Sequence, residues 1–229
     1  MRRDGFCFCR ARLPFVSLHA LLVVCALFVV WPCGVLRAQN AVASFEGEIR
    51  FTLSTKTPFG QQSQPARYYT SAKGIRVELG ESTDLAVLAL AATDEVLLIT
   101  PAEQRYALLS LTLGSLRIVP DAPSSDIEVK WTGEVEQIAG LSCEHVLVTR
   151  NSRTTDVCLT RQLGRYVNPL DALSGNTMPV WQQALAGRGF PLRIRTPDGW
   201  VSLEVTAVAH GRPDDVLFRV PPGYRRVRR

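Results

Sequence analysis

Apolar and polar residues alternate with a period of two along most of this chain, and that pattern constrains its fold more than any other feature. In Ala43-Ser-Phe-Glu-Gly-Glu-Ile-Arg-Phe-Thr-Leu53, residues Phe45, Ile49, Phe51 and Leu53 fall on one side, and Glu46, Glu48, Arg50 and Thr52 on the other. Successive side chains of a strand point to opposite faces, so this segment reads as a half-buried strand. Residues 127–137 repeat the pattern, with Ile127, Val129, Trp131 and Val135 in phase. Short strands are expected at 67–70 and 75–79 around Ala72-Lys73-Gly74. Apolar runs follow at 85–91 and 96–100, split by Thr93-Asp94-Glu95, and alternation resumes at 105–113. Residues 57–65 and 121–125 read as loops, and 190–196 and 200–209 flank the turn Pro197-Asp198-Gly199.

One stretch has helical spacing. Over 178–186, Val180, Trp181, Ala184 and Leu185 share a side, Pro179 suits a first turn and Gly187 a stop. The remaining links are short, which favours antiparallel neighbours. The expected fold is mainly β (α+β): a single curved, half-barrel-like antiparallel meander of about ten strands, its concave face covered by one late helix.

Residues 141–149 and 155–160 flank a polar turn, Arg150-Asn151-Ser152-Arg153. A two-residue loop at Arg150-Asn151, or a four-residue loop around it, sets Cys143 opposite Cys158, close enough to bridge. A disulfide stapling this hairpin is therefore expected.

The first 38 residues read as a cleaved secretory leader. Arg2, Arg3, Arg10 and Arg12 precede the uncharged run 15–30, and Leu36-Arg37-Ala38 supplies a cleavage site. That run is shorter than the roughly 20 residues of a spanning helix; the alternative is an uncleaved anchor in the inner membrane. The expected organisation is a leader at 1–38, a single β-rich domain at 39–224 and a basic tail at 225–229. Export would place the domain in the periplasm or outer envelope. Without the leader, 21 basic and 20 acidic residues remain, so the apparent basicity is mostly a targeting signal and gives no support for nucleic-acid binding. Cys7, Cys9, Cys25 and Cys33 leave with the leader, and only Cys143 and Cys158 stay in an oxidising compartment.

Catalytic motifs are thin. His145 lies two residues from Cys143, but a disulfide consumes both sulfurs, so no metal site is assigned. His210 ends a strand. Gly140-Leu-Ser142-Cys-Glu lacks the second glycine of a nucleophile elbow, and no phosphate-binding glycine loop is present. Asp94-Glu95 and Asp214-Asp215 read as solvated turn residues. No catalytic residue or cofactor is assigned, and a hydrolase with an unidentified site is the minor alternative. Trp131, Val180, Trp181, Leu185 and Trp200 are candidates to line an apolar site. Arg225, Arg226, Arg228 and Arg229 are candidates to meet an anionic membrane surface.

Phe45-x-Gly47, Trp131-Thr132-Gly133-Glu134, Ile138-Ala139-Gly140, Cys143, Pro191-Leu192-Arg193 and Phe218-x-Val220-Pro221-x-Gly223-Tyr224 together resemble the exported bacterial family known as domain of unknown function 4412 (DUF4412). The resemblance implies a fold similar to lipoprotein-carrier and envelope-stress-sensor (LolA-like) domains, a curved antiparallel sheet around helical cover. It implies a periplasmic or surface location and an apolar ligand, with no catalytic residues. The function expected is a non-enzymatic envelope domain binding a lipid or lipoprotein; the alternative is a structural or sensory interaction domain acting through its surface and basic tail.

Overall fold

The computed structural model describes residues 45–117, 125–173 and 178–228. Twelve strands form one open, curved sheet: β1 (Gly47–Thr57), β2 (Gly60–Ser71), β3 (Gly74–Leu79), β4 (Leu85–Leu90), β5 (Glu95–Thr100), β6 (Arg105–Thr112), β7 (Glu128–Ile138), β8 (Leu141–Arg150), β9 (Arg153–Thr160), β10 (Phe190–Arg195), β11 (Val201–His210) and β12 (Arg225–Val227). Their order is β12-β6-β5-β4-β3-β2-β1-β11-β10-β9-β8-β7. Two meanders, β1–β6 and β7–β11, are therefore joined by the antiparallel β1–β11 pair. The leader expected at 1–38 lies outside the described residues, as does the loop at 121–124. No helix among the described residues is long and apolar enough to cross a membrane.

The mainly β architecture expected from the alternation is present, with three differences. First, residues expected to form the loop 57–65 extend a hairpin. Pairing runs from Gly47↔Thr70 out to Thr57↔Gly60, leaving only Pro58-Phe59 as the turn. Pro65 is tolerated there because β3 ends opposite Ala66, so no neighbour needs the N–H that proline lacks. Second, the basic tail is partly a strand: Arg225–Val227 pairs with β6, the sheet's one parallel ladder among the described residues. Third, the hairpin turn is Asn151-Ser152, with φ of 51° and 60°, a conformation that asparagine tolerates well in two-residue hairpins. Arg150 pairs with Arg153, and Cys158 consequently faces His145. Cys143 sits one pair along on the same face, so the disulfide crosses the ladder diagonally, with Cα atoms 5.3 Å apart.

Both faces of β3–β5 are buried, which explains the unbroken apolar runs in β4 and β5. On the inner face, Ile49, Tyr68, Val77, Val87, Val146 and Val157 belong to the main core. Residues 161–173 and 178–189 cover this face. They contain a 3₁₀ turn, Pro169–Leu173, and helix α2 (Val180–Leu185), which buries Gln182, Ala184 and Leu185. A shorter helix, α1 (Leu113–Leu116), follows β6. On the outer face, Tyr69, Ala86, Leu88, Leu97 and Ile99 pack against Phe218. Phe218 ends a 3₁₀ turn, Asp215–Phe218, and the C-terminal segment continues from it to β12.

Both sheet edges are blunted. β12 is three residues long, and β7 breaks register between Trp131 and Val135 around Gly133. Such interruptions discourage edge-to-edge pairing between chains.

The disulfide closes a loop with a sequence separation of 15. Loop-closure entropy for that length corresponds to about 3 kcal/mol. The paired substitution Cys143→Ser, Cys158→Ser should lower the unfolding free energy by about that amount in guanidinium titrations. A variant as stable as the parent would show that the hairpin needs no staple.

Candidate functional site

A cavity of about 320 Å³ lies on the inner face, between the starts of β1, β3 and β10, the end of β2 and segment 163–167. Its apolar lining includes Phe45, Tyr68, Ile75, Leu163, Val167 and Phe190. Each arrives by local folding rules. Ile75 is the second residue of the two-sided strand β3, and Phe190 begins β10 with 2 % of its surface exposed. Segment 163–167 turns at Gly164, whose φ of 71° a residue with a side chain would adopt at a cost. It is tied down by Tyr166 N donating to Gly189 O (3.0 Å) and by Tyr68 Oη donating to Val167 O (3.1 Å).

Aromatic packing makes the floor rigid. The Phe190 ring meets Tyr68 edge-on at 5.5 Å and Tyr166 at 5.0 Å, and Tyr166 lies 6.0 Å from Trp181. Burial raises the Tyr68 phenol above its ordinary range, with the Val167 hydrogen bond and the Arg117 charge acting against it. Burial likewise drives Tyr166 upward, helped by the negative Asp171. Both phenols are neutral at physiological pH, so neither supplies a nucleophile or a charge.

The cavity's charge comes from Arg117 and Arg165, which complete its lining with Thr70 and Gly164. Arg117 caps α1. That helix is held by a reciprocal Thr112–Ser115 capping box and by Asp94, whose Oδ1 accepts from Gly114 N at 2.6 Å. Asp94 is thus an exposed turn residue that also anchors the helix. Arg165 Nη2 donates to Arg117 O at 3.3 Å, bringing the two residues together. Asp214 and Asp215 are also structural: Asp214 caps the 3₁₀ turn at 215–218, and Asp215 pairs with Lys73 and Arg212. The Lys73 hydrogen bond, the larger influence, holds the Asp215 carboxyl below its usual range.

On the opposite face of β7–β11, polar groups form a row beside the disulfide. His145 Nδ1 lies 2.9 Å from Asp156 and its Nε2 3.3 Å from Glu136. Glu136 also accepts from Arg193 at 2.7 Å, and Arg193 reaches Glu204 at 2.8 Å. The Arg193 hydrogen bond dominates in lowering the Glu136 pKa. Ligand atoms of Glu136, His145 and Cys158 fall within 4.8 Å of one another. The Cys158 sulfur is bonded to Cys143, leaving two donors, and both imidazole nitrogens already face carboxylates. The row therefore reads as a cross-strand ion network. His210 packs edge-on against Phe45 at 5.1 Å.

The residues proposed from sequence to line an apolar site are not gathered at this cavity. Trp131 lies on β7 under the Arg161 guanidinium, 5.6 Å from its ring centroid. Trp200 closes the β10–β11 turn, accepting from Thr196 N at 2.9 Å. Val180 and Trp181 pack against the core as part of the cover, and Leu185 is buried in it. Arg225 and Arg226 stand exposed on β12 and Arg228 follows them; Arg229 lies outside the described residues. Sequence reasoning missed Arg117 and Arg165. The signal available was faint, two isolated arginines in or beside segments rich in Leu and Gly.

Comparison with solved structures finds several distant likenesses. An uncharacterised conserved protein from Thermus thermophilus is 13 % identical, over 80 % of this chain and 91 % of that one, with a TM-score of 0.45. PNGF-II is 16 % identical over 81 % of this chain and 32 % of its own, with a TM-score of 0.49. A domain named for outer membrane lipoprotein sorting, from Vibrio parahaemolyticus, is 9 % identical over 76 % and 92 %, with a TM-score of 0.29. Likenesses this remote carry nothing about function. No curated protein matches the sequence. A family model does match, over residues 45–224, which takes in every strand from β1 to β11 and the C-terminal segment over the outer face. The chain belongs to the family described as domain of unknown function (DUF4412).

Proposed function

We propose that this protein is an exported, non-enzymatic envelope domain that binds an apolar or lipidated ligand between its curved sheet and the cover formed by residues 161–173 and 178–189. The observation that carries this reading is the cavity of about 320 Å³ floored by Phe45, Ile75, Val167 and Phe190. Ligand sites are concave, mostly apolar and largely preformed, with a few polar groups placed to orient the ligand. This cavity has that composition, and its polar groups sit on segments fixed by capping and backbone hydrogen bonds. The leader read at 1–38 supports export, and the disulfide fits an oxidising compartment.

The test is native mass spectrometry of the full chain purified from the membrane fraction. Bound lipid is expected on the parent protein and absent from Thr70→Trp, whose indole would fill the cavity from β2. Repeated recovery of the parent chain without any adduct would overturn the reading.

A second reading rests on β12. Its pairing with β6 holds Arg225 and Arg226 exposed on an ordered edge, a presentation suited to an anionic membrane surface. Such a contact is compatible with ligand binding at the cavity.

A further inference from the structure

We infer that the ligand of the inner-face cavity is an anionic single-chain amphiphile whose head is held by Arg117 and Arg165. This deepens the proposed function and rests on it. The cavity's lining includes two arginines and no acidic residue. Among the described residues neither guanidinium has a carboxylate partner, whereas Arg67, Arg76 and Arg193 on the outer face are all paired with glutamates. Arg165 Nη2 bonds to the Arg117 carbonyl, so its guanidinium is held against the Arg117 backbone without an anion in the contact, and both residues line the same cavity. An incoming anion is attracted by both positive charges and accepts their hydrogen bonds, and a cationic head is repelled by both.

The depth of the site sets the rest of the ligand. Arg117 and Arg165 are exposed, while Ile75 and Phe190 behind them are buried. A head left in contact with water and a tail removed from it defines an amphiphile. At about 320 Å³ the cavity is near the lower end of the range for small-molecule sites, which suits one chain rather than two. Guanidinium recognises planar carboxylate and phosphate oxygens alike, so either head group satisfies the chemistry.

Titration calorimetry of the full chain, below the micelle concentration of each probe, separates the possibilities. Dodecanoate and dodecyl phosphate are expected to bind at least roughly tenfold more tightly than dodecanol, as charge-assisted hydrogen bonds require. Shortening the carboxylate should weaken binding by about fourfold per methylene removed. The variant Arg117→Gln, Arg165→Gln should bind dodecanoate and dodecanol equally while keeping its thermal midpoint, since both side chains are exposed. Thr70→Trp should bind none of them. Equal affinity of the parent for dodecanol and the anions would overturn the inference and leave the apolar site standing. Failure of all three to bind would overturn both. Inorganic phosphate competing as well as dodecyl phosphate would reduce the site to a plain anion contact and overturn the amphiphile. A preference for anions that survives in the double variant would remove the arginines from the account.

Discussion

Glu78→Ala should destabilise the protein by about 3–5 kcal/mol, the cost of leaving a buried charge without its partner. Arg76 and Glu78 lie on the outer face of β3, 7 % and 5 % exposed, beneath the C-terminal segment. Arg76 Nε donates to Glu78 Oε1 at 2.8 Å and Nη1 donates to Leu217 O at 3.2 Å. The other carboxylate oxygen takes Arg67 Nε at 3.3 Å and Thr83 Oγ1 at 3.2 Å. Glu78 therefore neutralises two arginines, and Arg76 ties the sheet to the backbone that carries Phe218 over it. Replacing both members, Arg76→Met with Glu78→Leu, should cost far less than the single change, because the one cation then left without its carboxylate, Arg67, is partly exposed and reaches water. Guanidinium unfolding of the two variants, read at constant slope, gives the comparison. A Glu78→Ala variant within about 1 kcal/mol of the parent would mean that water reaches Arg76 and the C-terminal segment is not a seal.

Nothing in the local sequence marks that pair as buried. Gly74-Ile-Arg-Val-Glu-Leu79 alternates like a strand with one wet face, and only the return of residues 212–224, more than 130 positions later, closes it. The same limit explains the other departures. Strand β2 is polar from Gln61 to Gln64 because both its faces are exposed there, so hydropathy carries no period and only backbone pairing defines the strand. β12 is short, charged and paired with a distant strand. What was legible was local: the alternation of β1, the turn at 197–199, and two cysteines straddling a polar hairpin. Even there, a shift of the turn by one residue, from Arg150-Asn151 to Asn151-Ser152, moved the pairing by two. It left both cysteines on one face, so the staple survived the change of register. The cavity was hidden for a topological reason. Its walls come from residues 45, 68–75, 117, 163–167 and 190, brought together by the β1–β2 pairing and the cover, while the tryptophans that drew attention in the sequence went to the core and to a turn.

Phe190→Ala should cost about 3–5 kcal/mol of stability and at the same time enlarge the ligand site. The phenyl ring is among the largest fully buried side chains and is wedged edge-on between Tyr68 and Tyr166, so its neighbours are fixed by their own contacts and cannot collapse into the gap. Tyr68 is anchored through its hydroxyl to Val167, and Tyr166 through its backbone to Gly189. The space released opens directly into the cavity, because Phe190 is part of its lining. Two readouts should therefore move in opposite directions. The unfolding midpoint falls, and the longest alkyl chain that still gains affinity per added methylene becomes longer. Each accommodated methylene contributes about 0.8 kcal/mol, so a chain that fills the new space should recover part of the lost stability when present in excess. Thermal unfolding of Phe190→Ala with decanoate, dodecanoate and tetradecanoate measures both effects. If the variant loses stability but shows the parent's chain-length limit, the ring supports the core without bounding the ligand, and the bottom of the site lies elsewhere along segment 163–167.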